Sequence, residues 1–191
     1  MTDNIDKYNK GNATVKNGAD DQKSDKTDNL ENNIEDNERK MVDVIIPTYR
    51  PAKEFGELLH RLEKQEYRPN RILVMNTGKE YWNSEWENYP LLEVHHLDQK
   101  DFDHGGTRKR AAELSTADIM VFMTQDALPA DRKMIGNLVR AVSRNSGTGA
   151  AYARQLPKAD CRFLERYTRS FNYPEQSSVK SLSDVETYGI K

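Results

Sequence analysis

Short apolar runs that end in polar residues set the main constraint on how this chain can fold. The first two runs are VDVIIP at Val42–Pro47 and RILVM at Arg71–Met75. Two more follow at Leu92–Leu97 and Ile119–Met123. Runs of this length, rich in branched residues, favour strands of a parallel sheet that is covered on both faces. Pro47 is predicted to end the first strand, because proline cannot donate to a ladder.

Helical patterns alternate with these strands. An apolar stripe at i, i+3, i+4 and i+7 predicts a helix after the first strand, formed by Phe55, Leu58, Leu59 and Leu62. Further helices are predicted from near Thr107, after Asp131, and over 161–171, and a fifth strand is predicted at Ala150–Arg154. The alternation predicts an α/β fold with a mainly parallel sheet and helices on both faces.

The first forty residues differ in composition from the rest. Residues 1–40 contain ten acids, seven bases and eight asparagines, with few large apolar side chains. Such a segment buries too little apolar surface to offset the entropy of ordering it. We therefore predict a disordered polar tail over 1–40 and a folded domain over 41–191.

Overall charge and composition exclude several classes of protein. The formal charge of the 191 residues is −2, which gives no argument for nucleic-acid binding. No apolar run approaches the ~20 residues that a membrane span needs, and the N-terminus lacks the apolar core of a signal peptide. With Cys161 as the single cysteine and no export signal, a cytoplasmic location is predicted.

Polar residues collect where the predicted strands end. Thr48 and Tyr49 follow the first strand, Asn76 and Thr77 follow the second, and Asp126 follows the fourth. In open α/β sheets, ligands bind outside the carboxyl ends of the strands. The sequence therefore predicts that these residues share one rim of the sheet.

The chemistry of this rim fits a nucleoside diphosphate in outline. The Gly105-Gly106 pair approaches a helix start, whose N–H groups suit phosphate, and Arg108 adds a cation. Asp126 is a hard oxygen ligand that suits Mg²⁺ or Mn²⁺ bridging phosphate oxygens. Plainer interpretations also fit: a helix-capping acid at Asp126, a simple glycine turn and a solvated helix face. Neither a GxGxxG nor a GxxxxGK motif is present.

Five segments carry a resemblance to a known family. Together they resemble bacterial family-two glycosyltransferases, above all rhamnosyltransferase-like members, over roughly residues 41–191; the segments are VDVIIPTYRP, VMNTG, DFDHGGTR, ADIMVFMTQDALPAD and AAYARQLPKADC. The resemblance implies a GT-A fold of Rossmann type. It also implies inverting transfer of a sugar from a nucleoside-diphosphate donor with a divalent cation, Mg²⁺ or Mn²⁺.

The same resemblance implies which residues form the site. The loop from Pro47 to Tyr49 and the pair Asn76–Thr77 would hold the base and ribose, and Arg108 would lie near the nucleotide. Asp126 matches the last acid of the family's DxD element and would bind the metal, while Thr124 stands where the first acid would be. The implied nucleotide-sugar-binding residues are Pro47, Thr48, Tyr49, Asn76, Thr77, Gly106, Arg108, Gln125 and Asp126.

One part of the family pattern has no match in this chain. Inverting members take a catalytic base from an acidic motif well after the DxD element, and transfer needs that base within hydrogen-bond reach of the acceptor hydroxyl. No convincing candidate is found among Asp160, Glu165, Asp184 and Glu186, so no catalytic residue is predicted. We expect an incomplete C-terminal part, as in a truncated enzyme or half of a site that another chain completes.

The resulting prediction is a glycosyltransferase that moves rhamnose from a dTDP- or UDP-sugar to a cell-surface saccharide or lipid-linked saccharide. It would act in the cytoplasm at the inner face of the plasma membrane, with peripheral membrane association and no transmembrane segment. A sugar nucleotidyltransferase is the first alternative, disfavoured because no Gly/Arg/Lys-rich loop directly follows the first strand. The second is a non-catalytic fragment that binds a nucleotide sugar or a partner subunit.

Overall fold

A computed structural model of the chain describes residues 39–158 and 160–188. The predicted tail, residues 1–40, lies outside the described residues except for Arg39 and Lys40. The first strand begins at Val42. The disordered tail and the domain boundary after residue 40 therefore remain predictions.

Four parallel strands form the sheet. They are β1 (Val42–Tyr49), β2 (Arg71–Thr77), β3 (Leu92–Leu97) and β4 (Ile119–Phe122). Their order across the sheet is β3-β2-β1-β4, with every neighbouring pair parallel. This confirms the predicted parallel sheet and places the two longest strands at its centre.

Three of the five described helices cover the two faces of the sheet, as predicted. The helices are α1 (Glu54–Glu63), α2 (His104–Leu114), α3 (Met134–Val142), α4 (Phe163–Asn172) and α5 (Val185–Tyr188). Leu58 of α1 and Ile135 of α3 are fully buried in one cluster, whereas Ala111 of α2 is buried in a second. None of the described helices combines the length and the apolar character that crossing a membrane requires.

β1 continues past Pro47, which corrects the predicted end of that strand. Pro47 sits in register with Met75, and pairing with β2 extends to Tyr49. The Met123 N–H donates to the Ile45 carbonyl at 3.0 Å, so alternate residues of β1 face β4. Pairing with β4 stops at Ile45. Proline is tolerated at position 47 because a backbone N–H there would face the β4 side, where β1 has no further pairing.

The predicted fifth strand at Ala150–Arg154 is wrong. The segment forms no ladder with the described strands, and Tyr152 is 70% exposed. A strand exists only where its N–H and C=O groups find a neighbouring chain. The small residues in this stretch resemble a weak strand pattern, but the segment has no neighbouring strand among the described residues.

Asp43 anchors the opposite end of the sheet. Its side chain is fully buried, and its Oδ2 accepts hydrogen bonds from Arg71 at 2.8 Å and from Ser115 at 2.7 Å. Burial alone would raise the pKa of this carboxyl, but hydrogen bonds from Arg71, Ser115 and Asn70 hold the pKa below its usual value. Arg71 also bonds Glu93 at 2.8 Å, which joins three strands.

Replacing Asp43 by Asn should destabilise the fold strongly, because Arg71 would keep its charge without its buried partner. We expect the free energy of unfolding to fall by at least about 2 kcal/mol. That is below the ~3–5 kcal/mol for fully buried pairs, because the Arg71 side chain stays 22% exposed. Urea denaturation at neutral pH measures the difference.

The matched control is Glu57→Gln, which breaks an exposed pair with Arg61 and should change stability far less. Because the native pKa of Asp43 is lowered, its stabilisation is present above the usual value of 3.8 and is lost as pH falls through the native pKa. Equal stability of the two variants would contradict this account.

Candidate functional site

The carboxyl ends of all four strands lie at one edge of the sheet, because the strands are parallel. We call this edge the carboxyl rim. It comprises Tyr49 at the end of β1 with Arg50 after it, Thr77 at the end of β2 with the turn that follows to Tyr81, Asp103 to Gly106 at the start of α2, and Thr124 to Asp126 after β4. The rim holds most of the residues that the sequence singled out.

A buried polar row crosses three strands just beneath the rim. Thr48, Asn76 and His96 sit side by side in register on β1, β2 and β3. The Thr48 hydroxyl donates to Asn76 Oδ1 at 2.9 Å, and Asn76 Nδ2 lies 3.0 Å from His96 Nδ1. Thr48 is 2% exposed and Asn76 is fully buried. Their side chains are therefore satisfied by one another and support the rim from below.

His96 is held neutral in this row. Burial lowers its pKa, and the positive charge of Lys79 acts in the same direction. A neutral ring can accept the Asn76 amide N–H at Nδ1, which a protonated ring cannot. Trp82 packs edge-on against the ring at 6.0 Å. His95, the preceding residue of β3, points to the other face, and its Nε2 lies 2.6 Å from Glu93 Oε1.

Gln125 joins the β4 loop to the end of β1. Its side-chain oxygen accepts the Tyr49 backbone N–H at 2.8 Å, and its amide nitrogen donates to the Tyr49 carbonyl at 3.1 Å. The side chain thus does for Tyr49 what a neighbouring strand would do. This contact brings two loops together that are 76 residues apart in sequence.

Asp126 follows Gln125 directly and is exposed. A turn closed by the Ala127 N–H and the Thr124 carbonyl at 3.2 Å carries it. Within 39–158 and 160–188, no three His, Cys, Asp or Glu side chains are grouped to hold a metal ion. A single carboxylate still fits a cation of the Mg²⁺ type, which usually takes one or two carboxylates together with substrate phosphates and water.

The start of α2 differs from the expectation. The helix begins at His104 and not near Thr107, so both glycines lie in its first turn. Asp103 is the N-cap, and its Oδ2 accepts the Gly106 N–H. A Cβ at position 106 would lie 2.8 Å from that oxygen, so a larger residue there would displace the capping carboxylate. The Gly106 N–H is thus already used by the cap.

Arg108 also makes its side-chain hydrogen bond within α2, from Nη1 to the His104 carbonyl at 2.8 Å. In the described parts of the chain, no hydrogen bond or ion pair connects Gly106 or Arg108 to the residues around Gln125. The structure therefore links Thr48 with Asn76, and Tyr49 with Gln125, by direct bonds. Gly106 and Arg108 share the rim by topology.

Thr77 is buried at the end of β2 with an unused hydroxyl. It is 1% exposed, and its Oγ1 has no hydrogen-bond partner among the described residues. An unsatisfied buried hydroxyl costs free energy unless a water or ligand reaches it. It is the one polar side chain of the predicted nucleotide set with a free, buried hydroxyl.

Beside these residues, Tyr49 lies in a cluster with Arg50 and Tyr81, two residues to which the sequence pattern assigned no role. Arg50 lies over the rings of Tyr81 and Tyr49, with its Cζ 4.3 Å and 5.1 Å from the two ring centres. Its Nη2 donates to the Tyr81 hydroxyl at 2.7 Å. We call these three residues the tyrosine–arginine cluster. The proximity of Tyr81 depends on the turn after β2, which Gly78 alone signals in the sequence.

Comparison with protein families gives a match over most of the folded part. The model described as Glycosyl transferase family 2 matches residues 43–188. O-antigen chain rhamnosyltransferase RfbN of Salmonella typhimurium is 38% identical over 157 residues, which cover 78% of this chain and 48% of that protein. O-antigen chain rhamnosyltransferase WbaN of Salmonella anatum is 27% identical over 150 residues, covering 78% and 47%.

Two solved structures are similar to part of the chain. TarS residues 1–349 of S. aureus superpose with a TM-score of 0.47 at 17% identity, covering 62% of this chain and 40% of that one. Mannosyltransferase PcManGT from Pyrobaculum calidifontis, in complex with GDP-Man and Mn²⁺, gives 0.45 at 24% identity, covering 54% and 32%. The chain spans about half the length of the curated relatives it matches.

The polar row predicts a pH dependence of stability. The native pKa of His96 lies below its usual value of 6.5. Neutral His96 therefore contributes fully to the free energy of unfolding above pH 6.5, and this contribution is lost as the pH falls towards the native pKa. Urea denaturation between about pH 8 and pH 5 should show wild-type protein losing its advantage over His96→Asn. His60→Asn, on exposed α1 surface, controls for removing a histidine. A constant difference across this range would contradict the prediction.

Thr77→Val separates a structural role from a ligand-binding role. Because the hydroxyl has no partner among the described residues, its removal should leave the free energy of unfolding unchanged or slightly higher. Thr48→Val, which removes a bonded hydroxyl in the same layer, should lower it by about 1 kcal/mol. Urea denaturation of both variants tests this, and a marked loss in Thr77→Val would show that the hydroxyl has an unseen partner.

Proposed function

The chain belongs to glycosyl transferase family 2, and we propose that its carboxyl rim binds the nucleoside diphosphate of a sugar donor. Because the chain spans about half of its curated relatives, the complete transfer reaction is part of this proposal. The observation that carries it is the pairing of Gln125 with both backbone groups of Tyr49, which sets Asp126 beside the end of β1.

Asp126 is the proposed metal ligand. Its exposed carboxylate can share a Mg²⁺ or Mn²⁺ ion with the two phosphates, so few protein ligands are needed. The bound cation would neutralise charge that develops on the diphosphate as it leaves. The protein's own contribution is to fix the carboxylate through the Gln125 contact and to keep the floor beneath it rigid through Thr48 and Asn76.

The remaining nucleotide contacts are proposed from the same arrangement. Tyr49 is 38% exposed and presents its ring at the rim, while the buried Thr77 hydroxyl has capacity for a ribose or water oxygen. Pro47, Thr48 and Asn76 would act by shaping the strand ends beneath the nucleotide. Gly106 and Arg108 would face the phosphates from the start of α2, where the helix dipole favours anions.

The donor and acceptor follow from the relatives. Both curated relatives carry the name O-antigen chain rhamnosyltransferase, so we propose rhamnose from a dTDP- or UDP-linked donor and a saccharide acceptor, with or without a lipid carrier. The predicted cytoplasmic site of action at the inner face of the plasma membrane belongs to the same proposal.

We assign no catalytic base within this chain. Glu165 pairs with Arg169 at 3.0 Å within α4, and Asp184 accepts the Ser181 N–H at 2.7 Å in a capping box. Both acids thus have local structural partners. The function proposed for this chain is therefore donor binding, with the acceptor hydroxyl activated by a group from elsewhere.

Binding of dTDP- and UDP-sugars with Mn²⁺ tests the proposal. Isothermal titration of the full chain should give saturable binding that weakens at least about tenfold in Asp126→Asn, because the metal would lose its only protein carboxylate. Manganese should improve the affinity of wild-type protein much more than that of the variant.

Glu113→Gln is the matched control, since it removes one acid from the exposed end of α2 away from the rim. It should bind donors as wild-type protein does. Absence of saturable binding by the folded wild-type chain, or equal affinity of Asp126→Asn and Glu113→Gln, would contradict the proposal.

A further inference from the structure

The helix α4 turns its apolar side towards solvent. Four large apolar side chains lie on one side of it, and each is between 59% and 83% exposed: Phe163, Leu164, Tyr167 and Phe171. Their spacing of i, i+1, i+4 and i+8 places them within an arc of about 100° around the helix. An amphipathic helix of a globular domain normally packs such a stripe against the core. In α4 this stripe, which we call the aromatic face, is the exposed side.

The opposite side of α4 is hydrogen-bonded to the segment before the helix. Arg169 donates from Nη1 to Gln155 Oε1 at 2.8 Å and from Nε to Glu165 Oε1 at 3.0 Å. At 3.6 residues per turn, Arg169 lies about 180° around the helix from the middle of the aromatic face. A polar contact therefore holds α4 to the chain, and the aromatic face is left pointing outwards.

Positive charge gathers around this helix. Residues 154–169 contain five bases and two acids, a net charge of +3, whereas the whole chain has a net charge of −2. The bases are Arg154, Lys158, Arg162, Arg166 and Arg169. Arg162 and Arg166 are one turn apart, so they follow each other along one side of the helix. Cations thus lie beside the exposed apolar surface.

We propose that the aromatic face of α4 docks on an anionic membrane surface. A helix with bulky apolar residues on one side and arginines on the other lies in the plane of the bilayer interface. Its apolar side chains enter the boundary between headgroups and acyl chains, and its cations contact anionic lipids. The inference rests on the proposed site of action at the inner face of the plasma membrane, and it names the surface that makes the contact.

The charge of this surface favours an anionic lipid over a second copy of the chain. Two aromatic faces packed together would bring two stretches of charge +3 close to each other, whereas anionic headgroups neutralise that charge. The composition of the face fits the same occupant. Tyr167 and Phe171 stack with their ring planes 17° apart, and the tyrosine hydroxyl can stay at the level of the headgroups while its ring enters the apolar layer.

Sedimentation of the full chain with lipid vesicles tests membrane docking. Vesicles of phosphatidylcholine with about one third phosphatidylglycerol are compared with vesicles of phosphatidylcholine alone. The double variant Phe163→Ala/Leu164→Ala removes apolar surface from the aromatic face. It should keep the fold, because both side chains are exposed and alanine favours a helix. Leu114→Ala, at an exposed leucine in the last turn of α2, is the matched control.

Wild-type protein should bind the anionic vesicles, and Phe163→Ala/Leu164→Ala should lower the partition coefficient at least about tenfold, because less apolar surface leaves water. Leu114→Ala should bind as wild-type protein does. Arg162→Gln should lower partition into the anionic vesicles about fivefold, since one cation near the surface is lost. Arg140→Gln, at an exposed arginine of α3, is its control and should have no effect. Added salt should weaken binding to the anionic vesicles.

Membrane docking is refuted if folded wild-type protein does not bind the anionic vesicles, or if Phe163→Ala/Leu164→Ala binds them as tightly as Leu114→Ala. Light scattering detects the rival occupant: a wild-type dimer that the double variant converts to a monomer, without vesicle binding, assigns the aromatic face to a second copy.

Titration of the same samples with dTDP and UDP, without vesicles, separates docking from the proposed donor binding. Saturable nucleotide binding without vesicle binding refutes only the membrane contact. Vesicle binding that the double variant loses, without nucleotide binding, supports the membrane contact and refutes only donor binding.

Discussion

The paired hydrogen bonds between Gln125 and the backbone of Tyr49 are the contact on which the rim depends. β4 is the shortest strand and stops pairing with β1 at Ile45, four residues before β1 ends. Without another partner, the end of β1 would expose an N–H and a C=O on that side. The amide of Gln125 satisfies both, so a side chain replaces a missing strand. The loop that carries the exposed acid is thereby tied to the sheet.

Near this contact, buried residues support the strand ends and exposed residues are accessible to a ligand. Thr48, Asn76 and His96 form a hydrogen-bonded row in which Thr48 and Asn76 are buried and His96 is half-buried. Tyr49, Arg50, Tyr81 and Asp126 stand on top of that row with accessible rings and charges. A ligand would meet the second group, while the first group keeps the strand ends in fixed relative positions. Polar residues at strand ends need not touch the ligand in order to shape its site.

The sequence predicted the sheet well because its signals were local. β-branched runs marked the strands, and helical stripes such as that of Leu58 and Leu62 marked the covering helices. Its errors arose where the decisive partner was remote. Ala150–Arg154 had strand-like residues without a neighbouring strand, and Pro47 stayed in β1 because nothing paired with it on the β4 side. The approach of Arg50 to Tyr81 depends on two turns that are 31 residues apart, which no periodicity reveals.

Pro47 also bears on how far β1 and β4 pair. Any other residue there would offer one more N–H on the side of β1 that faces β4. Proline cannot donate a ladder hydrogen bond at that point. The residues from Thr124 to Asp126 leave the ladder beside this proline and form the loop that presents the acid.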